Sequence, residues 1–124
     1  MNCPKCDSET RKLPFEADLM VDRCTNKSCK GVWMDKGELA RFSNQPEDLP
    51  GHSYTSGKAT IYNCPACKEK KAKKSLYSAS YQGVLSVEYC QDCHGLWFDH
   101  KEVGLLQEHL KDLRIKAKLA RVKK

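Results

Sequence analysis

CKGVWMDKGEL, residues 29–39, and CHGLWFDHKEV, residues 93–103, are nearly the same phrase written twice in one chain of 124 residues. At a constant offset, Cys29 matches Cys93, Gly31 matches Gly95 and Trp33 matches Trp97, followed by Asp35 with Asp99 and Glu38 with Glu102. These matches include both tryptophans of the chain. Agreement at spaced positions reads as an internal duplication, each copy being one small structural unit. Units of roughly 40–60 residues are marginal on apolar burial alone and usually need a metal or disulfides.

The cysteines supply that support. All eight fall in close pairs: Cys3/Cys6, Cys24/Cys29, Cys64/Cys67 and Cys90/Cys93. Copy one reads C-x2-C-x17-C-x4-C and copy two C-x2-C-x22-C-x2-C, both within the spacing of four-cysteine zinc sites. Cysteines two to four apart on a tight turn can aim both sulfurs at one ion, and a hairpin brings two such turns together. Tetrahedral S₄ suits Zn²⁺, so two zinc ions are expected, one per set of four. A closed site with no open position argues for structure over metal catalysis, and no catalytic residue is assigned. Iron in an S₄ site has the same spacing. Cys-Pro-x-Cys also suits thiol–disulfide exchange, but a redox pair needs no second pair at hairpin distance. His94, beside Cys93, is an alternative ligand to it.

The opening MNCPKC has no charged-then-apolar leader, and no apolar run approaches the roughly 20 residues of a membrane helix. The expectation is a soluble, reducing, cytoplasmic setting without membrane contact, where paired cysteines bind metal. Formal net charge is +6, and residues 111–124 (KDLRIKAKLARVKK) carry seven Lys or Arg against one Asp. Four thiolates around one Zn²⁺ carry −2, so two sites take the chain from +6 to +2, with its positive field at the C-terminus.

Along the chain, residues 1–43 form copy one, with alternation for a short hairpin after the first pair and a helical segment KGELARF. Residues 44–60, rich in Pro, Gly and polar groups, read as a linker. Copy two, 61–100, has a hairpin pattern with a turn at Gln82-Gly83. A basic C-terminal helix follows over 101–124, with one apolar stripe of Val103, Leu106, Leu110, Leu113, Ala117 and Ala120. Ile115, Leu119 and Val122 make a second stripe nearly opposite. The alternative is a helix that frays beyond about residue 115.

Asp35 and Asp99, each three residues before a Glu, are expected to cap helices: Asp on the free first-turn amides, Glu38 or Glu102 folding back. Trp33 and Trp97 are expected to cover the metal knuckle and seat the helix on it. Gly31 and Gly95 are expected to permit a backbone turn just after a ligand.

Both copies resemble the transcription factor IIB-type zinc-ribbon family, small bacterial and phage domains that open with Cys-Pro-x-Cys and close with Cys-x-x-Cys-x-Gly-x-Trp-x-Asp-x-Gly-Glu-Leu. CPKC and CKGVWMDKGEL carry the resemblance in copy one; CPAC and CQDCHGLWFDHKEV carry it in copy two. Departures are the four-residue spacer Thr25–Ser28, and Lys101 and Val103 where the family has Gly and Leu. The resemblance implies two zinc ribbons, each a short β-hairpin with zinc knuckles followed by a helix: a small, metal-stabilised α+β fold with a long C-terminal helix.

The expected function is a zinc-binding, non-enzymatic binding protein, with nucleic acid or transcription machinery the favoured partner. Lys70, Lys71, Lys73 and Lys74, with Lys111, Arg114, Lys118 and Arg121 on the final helix, are the candidate contacts to DNA or RNA phosphates. The alternative is a protein-docking adaptor or homodimer acting through the C-terminal helix.

Overall fold

The structure, a computed structural model, describes residues 1–16, 19–43, 45–49 and 57–122, with the side chains of all but residues 16, 114 and 116–122. The elements run β1 (Thr10–Glu16), β2 (Leu19–Cys24), β3 (Val32–Met34), α1 (Glu38–Ser43), β4 (Lys58–Asn63), α2 (Pro65–Glu69), β5 (Ser75–Tyr81), β6 (Leu85–Cys90), β7 (Leu96–Phe98) and α3 (His100–Val122). Both expected hairpins form, β1–β2 and β5–β6, and the second turns where Gln82 (φ 50°) and Gly83 (φ 71°) adopt left-handed conformations. Pro14 sits on the edge strand β1, beside the register shift between Pro14 and Glu16, the kind of place where a strand tolerates proline.

The two halves are not separate ribbons on a tether. They share one seven-stranded sheet in the order β1-β2-β3-β7-β6-β5-β4. The seam is the pair β3·β7, antiparallel, with Val32 opposite Phe98, Trp33 opposite Trp97 and Met34 opposite Leu96. Under the sequence offset each strand therefore pairs with its own counterpart in reverse, as in a two-fold dimer interface. The pseudo-axis passes between the two tryptophans.

Strand alternation divides the seam's side chains between two faces. Val32, Met34, Leu96 and Phe98 enter one cluster with Leu19 and Val21 from the first half and Leu85, Val87 and Tyr89 from the second. Leu39 of α1 and Val103, Leu106 and Leu110 of α3 cover that cluster, and Leu113 packs at its margin. Trp33 and Trp97 go to the other face, among the cysteines. Each half is too small for a core of its own, and joining the sheets gives both one.

This burial uses the first apolar stripe of α3 inside the chain, so a homodimer through Val103, Leu106 and Leu110 has no surface to use. The helix backbone continues to Val122, past residue 115. Ile115 of the second stripe is exposed. The side chains of Ala117, Leu119, Ala120 and Val122 lie outside the described residues.

The expected linker 44–60 is also shorter than its composition suggested. Asn44 and residues 50–56 lie outside the described residues, but β4 begins at Lys58, and Asp48 and Leu49 are buried. Asp48 Oδ2 accepts from Gly37 N and its Oδ1 from Ala40 N, both at 2.8 Å, which supplies the first-turn amides of α1 with a buried carboxylate. Asp48→Ala would strand those amides; a loss of about 1–3 kcal/mol is expected in chemical denaturation with zinc in fixed excess.

Candidate metal centres

Each set of four cysteines converges. Within each set the Sγ atoms all lie within 4.8 Å of one another, and none is in a disulfide. In the first, Cys3 Sγ is 3.6 Å from Cys29 Sγ and Cys6 Sγ is 3.4 Å from Cys24 Sγ. In the second, Cys64 Sγ is 3.6 Å from Cys93 Sγ and Cys67 Sγ is 3.7 Å from Cys90 Sγ. The cross-pairing is the same in both. A tetrahedral zinc with Zn–S near 2.3 Å separates its sulfurs by about 3.8 Å, so these groups fit two zinc ions with little adjustment.

Local backbone holds the sulfurs. Lys5 N donates to Cys3 Sγ and Cys67 N to Cys64 Sγ, each at 3.4 Å. Pro65 starts α2 at the position where a missing N–H is harmless. The second pairs close with Cys24 N to Gly31 O at 2.9 Å and Cys90 N to Gly95 O at 3.1 Å. The longer spacer of copy one is absorbed by Asn26, whose Oδ1 accepts from Ser28 N while its carbonyl accepts from Cys29 N and Lys30 N. Cys29 thus arrives where Cys93 does in the other site.

The thiols of a site do not ionise alike. Hydrogen bonding from Cys64 pulls Cys93 down to about 5, while that same contact and burial push Cys64 up. A hydrogen bond from Ser8 leads in lowering Cys6 to about 6, and burial raises Cys3. Four thiolates together require a divalent cation among them. The two sites also differ in exposure: Cys64, Cys67 and Cys90 are buried and Cys93 partly so, whereas Cys6 of the first site is exposed.

The repeated phrase works differently from its sequence reading. The left-handed residues are Lys30 (φ 51°) and His94 (φ 60°), not the glycines that follow them. Gly31 is needed because a Cβ there would lie 2.0 Å from Trp97 Cζ2, and a Cβ at Gly95 would lie 2.0 Å from Trp33 Cζ2. Each copy's glycine therefore receives the other copy's tryptophan. The indoles cover the metal side as expected, but α1 and α3 sit on the opposite face and are not seated on them.

Asp35 Oδ1 accepts from Trp33 Nε1 at 3.0 Å and Asp99 Oδ1 from Trp97 Nε1 at 2.9 Å. Glu38 does fold back, to Asp35 N at 2.7 Å, but the carboxylate on the α1 amides is that of Asp48. Glu102 Oε2 accepts from Ser86 N of β6. Side-chain length between Asp and Trp two residues apart on a strand could have suggested the indole pairing. Nothing in the sequence near Asp48 pointed to α1.

Salt bridges tie the halves together as well. Lys5 of the first knuckle pairs with Glu88 of β6, lies 3.8 Å from Asp99 Oδ1 and sits 3.8 Å from the Tyr62 ring centroid.

Of the candidate phosphate contacts, Lys70, Lys71, Lys73 and Lys74 lie together on the loop after α2, all exposed. Lys74 Nζ pairs with Asp92 at 3.1 Å. Lys70, Lys71 and Lys73 have no carboxylate partner among the described residues. Lys111 is exposed on α3, away from that loop in sequence. The side chains of Arg114, Lys118 and Arg121 lie outside the described residues. Among the described residues no helix is long and apolar enough to cross a membrane.

No curated protein and no solved structure matches the chain. A family model does: residues 2–44 match the transcription factor zinc-finger family, the transcription factor IIB-type zinc ribbon. The match spans Cys3, Cys6, Cys24 and Cys29, the four residues whose sulfurs converge in the first site. The second site repeats their pairing without a family match of its own. Residues 2–44 thus carry the likeness to a transcription factor IIB-type zinc ribbon, and the chain's two four-cysteine groups fit two zinc ions.

Proposed function

We propose that the chain is a zinc-dependent, non-enzymatic binding module whose partner is nucleic acid, in the setting of transcription machinery. The observation that carries this reading is the set of three exposed, uncommitted lysines, Lys70, Lys71 and Lys73, on a loop fixed by a zinc ligand. Cys67 O accepts from Lys70 N at 3.0 Å and from Ala72 N at 2.9 Å, so the residue that holds the metal also shapes the basic loop. The family likeness at residues 2–44 agrees with this setting. Two features support a non-enzymatic role: four-thiolate sites keep no open position, and Asp35 and Asp99 each accept an indole N–H hydrogen bond.

The test is fluorescence anisotropy of the zinc-loaded protein with labelled DNA and RNA as salt is raised. Three phosphate contacts predict log K falling against log salt with a slope of about −2 to −3 between roughly 50 and 200 mM. Replacing Lys70, Lys71 and Lys73 together with Gln should remove most of that slope while leaving two zinc ions bound. Salt-independent binding, or none, would overturn the reading.

A further inference from the structure

A groove runs along the first knuckles. One cleft of ≈ 320 Å³ lies between the two Cys-Pro-x-Cys turns, with Asn2, Pro4, Ile61 and Tyr62 in its walls. A second, of ≈ 280 Å³, is lined by Lys71, Ala72 and Lys73. Asn63 and Lys68 line both, so the two adjoin. Each volume is near the lower end of the roughly 300–1,000 Å³ of ligand pockets.

The groove's apolar wall is held open by a defect in the sheet. The register of β4 on β5 slips between Ala59 and Asn63. Thr60 fixes the slip: its Oγ1 donates to Leu76 O at 2.8 Å and accepts from Tyr62 N at 3.2 Å. The bulge leaves Ile61 89% exposed, far more than any other large apolar side chain described. At the other end the cations gather. Lys68 is 4.0 Å from Asp7, a loose exposed pair, and Lys71 and Lys73 are uncommitted among the described residues. Between these ends the Asn63 carboxamide, which can donate and accept at once, has no hydrogen-bond partner among the described residues.

We propose that this groove binds a single-stranded nucleic acid, with phosphates on Lys68, Lys71 and Lys73, a base against Ile61 and Tyr62, and that base's edge on Asn63. The inference rests on the nucleic-acid reading above and narrows it. Charge complementarity selects a polyanion, and the exposed apolar wall beside an unpaired carboxamide selects one whose bases are free. A duplex hides both the base face and its pairing edge, whereas an unpaired strand offers both.

The experiment uses the full zinc-loaded chain and a short labelled oligonucleotide, as RNA and as DNA, single-stranded and annealed to its complement, at one salt concentration. An acidic peptide of matched charge serves as competitor. Single strands are expected to bind about tenfold or more tightly than duplex, since only an unpaired base can stack in the groove. Ile61→Ser with Asn63→Ala should remove that preference and leave duplex affinity and zinc content unchanged. Lys71→Gln should weaken both forms alike. Equal binding of single strand and duplex, indifferent to Ile61 and Asn63, overturns the groove proposal but leaves the nucleic-acid reading standing. No binding of either, with the acidic peptide bound, overturns both.

Discussion

Gly31→Ala is expected to destabilise the protein by about 3 kcal/mol or more, and Gly95→Ala by a similar amount. The added methyl at Gly31 would meet Trp97 Cζ2, Cη2 and Cε2 at 2.0, 2.6 and 2.9 Å, and the methyl at Gly95 would meet the same atoms of Trp33 at the same distances. Neither ring can retreat. Both indoles are buried, and each is held by its Nε1 bond to an aspartate two residues on. The methyl must therefore separate β3 from β7, the strand pair that joins the halves of the sheet, or displace a ring that lies against the cysteines. Denaturant midpoints at fixed excess zinc read the effect. Gly104→Ala is the control: it is helical with nothing within 4 Å, and it should gain about 0.5–1 kcal/mol. A double-mutant cycle separates space from backbone freedom. If the glycine makes room for the ring, Trp97→Leu should suppress the cost of Gly31→Ala by at least about 1 kcal/mol. If it only permits a turn, the two costs will add.

That exchange of tryptophans marks where the sequence stopped being legible. The metal ligands were readable because close cysteine pairs at hairpin distance have few other uses, and the hairpins because alternation and Gln82-Gly83 are local signals. The phrase around Trp33 announced its repetition but not its partner. A motif that occurs twice can pack on itself or on its copy, and a three-residue strand such as Val32–Met34 carries too little pattern to say which. The self-complementary order apolar-Trp-apolar in both β3 and β7 was the available hint. Asp48 was unreadable for a different reason. It follows the helix it serves, in a stretch whose Pro and acidic residues look like solvent-exposed linker, and only the closed fold brings its carboxylate under Gly37 and Ala40. The helix stripe was seen but its destination was open, because Val103, Leu106 and Leu110 suit a partner chain as well as the joined sheet that takes them. For the groove, Ile61 opened the second copy in the sequence reading, and no periodicity showed that a slip at Thr60 would turn it outward.

Removing zinc is expected to unfold the protein in two steps, the first site before the second. Structural zinc contributes about 10–16 kcal/mol in small peptides, comparable to or larger than the roughly 5–15 kcal/mol by which domains are stable at all. Neither half should therefore keep its fold without its ion. Order follows from access. A chelator or alkylating reagent must reach a sulfur to begin ligand exchange, and Cys6 is exposed whereas three ligands of the second site are buried. Acid acts in the same direction on both sites, since protonating a thiolate removes a ligand, so zinc is released as pH falls. Native mass spectrometry during chelation should pass from two zinc ions to one to none, with Cys6 the first residue alkylated and Cys64, Cys67 and Cys90 protected in the one-zinc form. Tryptophan emission adds an internal reporter. Trp97 rests in the space at Gly31, so loss of the first ion should redden emission from the second half's indole while the second site is still loaded; Trp33→Phe isolates that signal. Simultaneous loss of both ions, or first alkylation within Cys64–Cys93, would show that the shared sheet couples the sites more strongly than the exposure of Cys6 separates them.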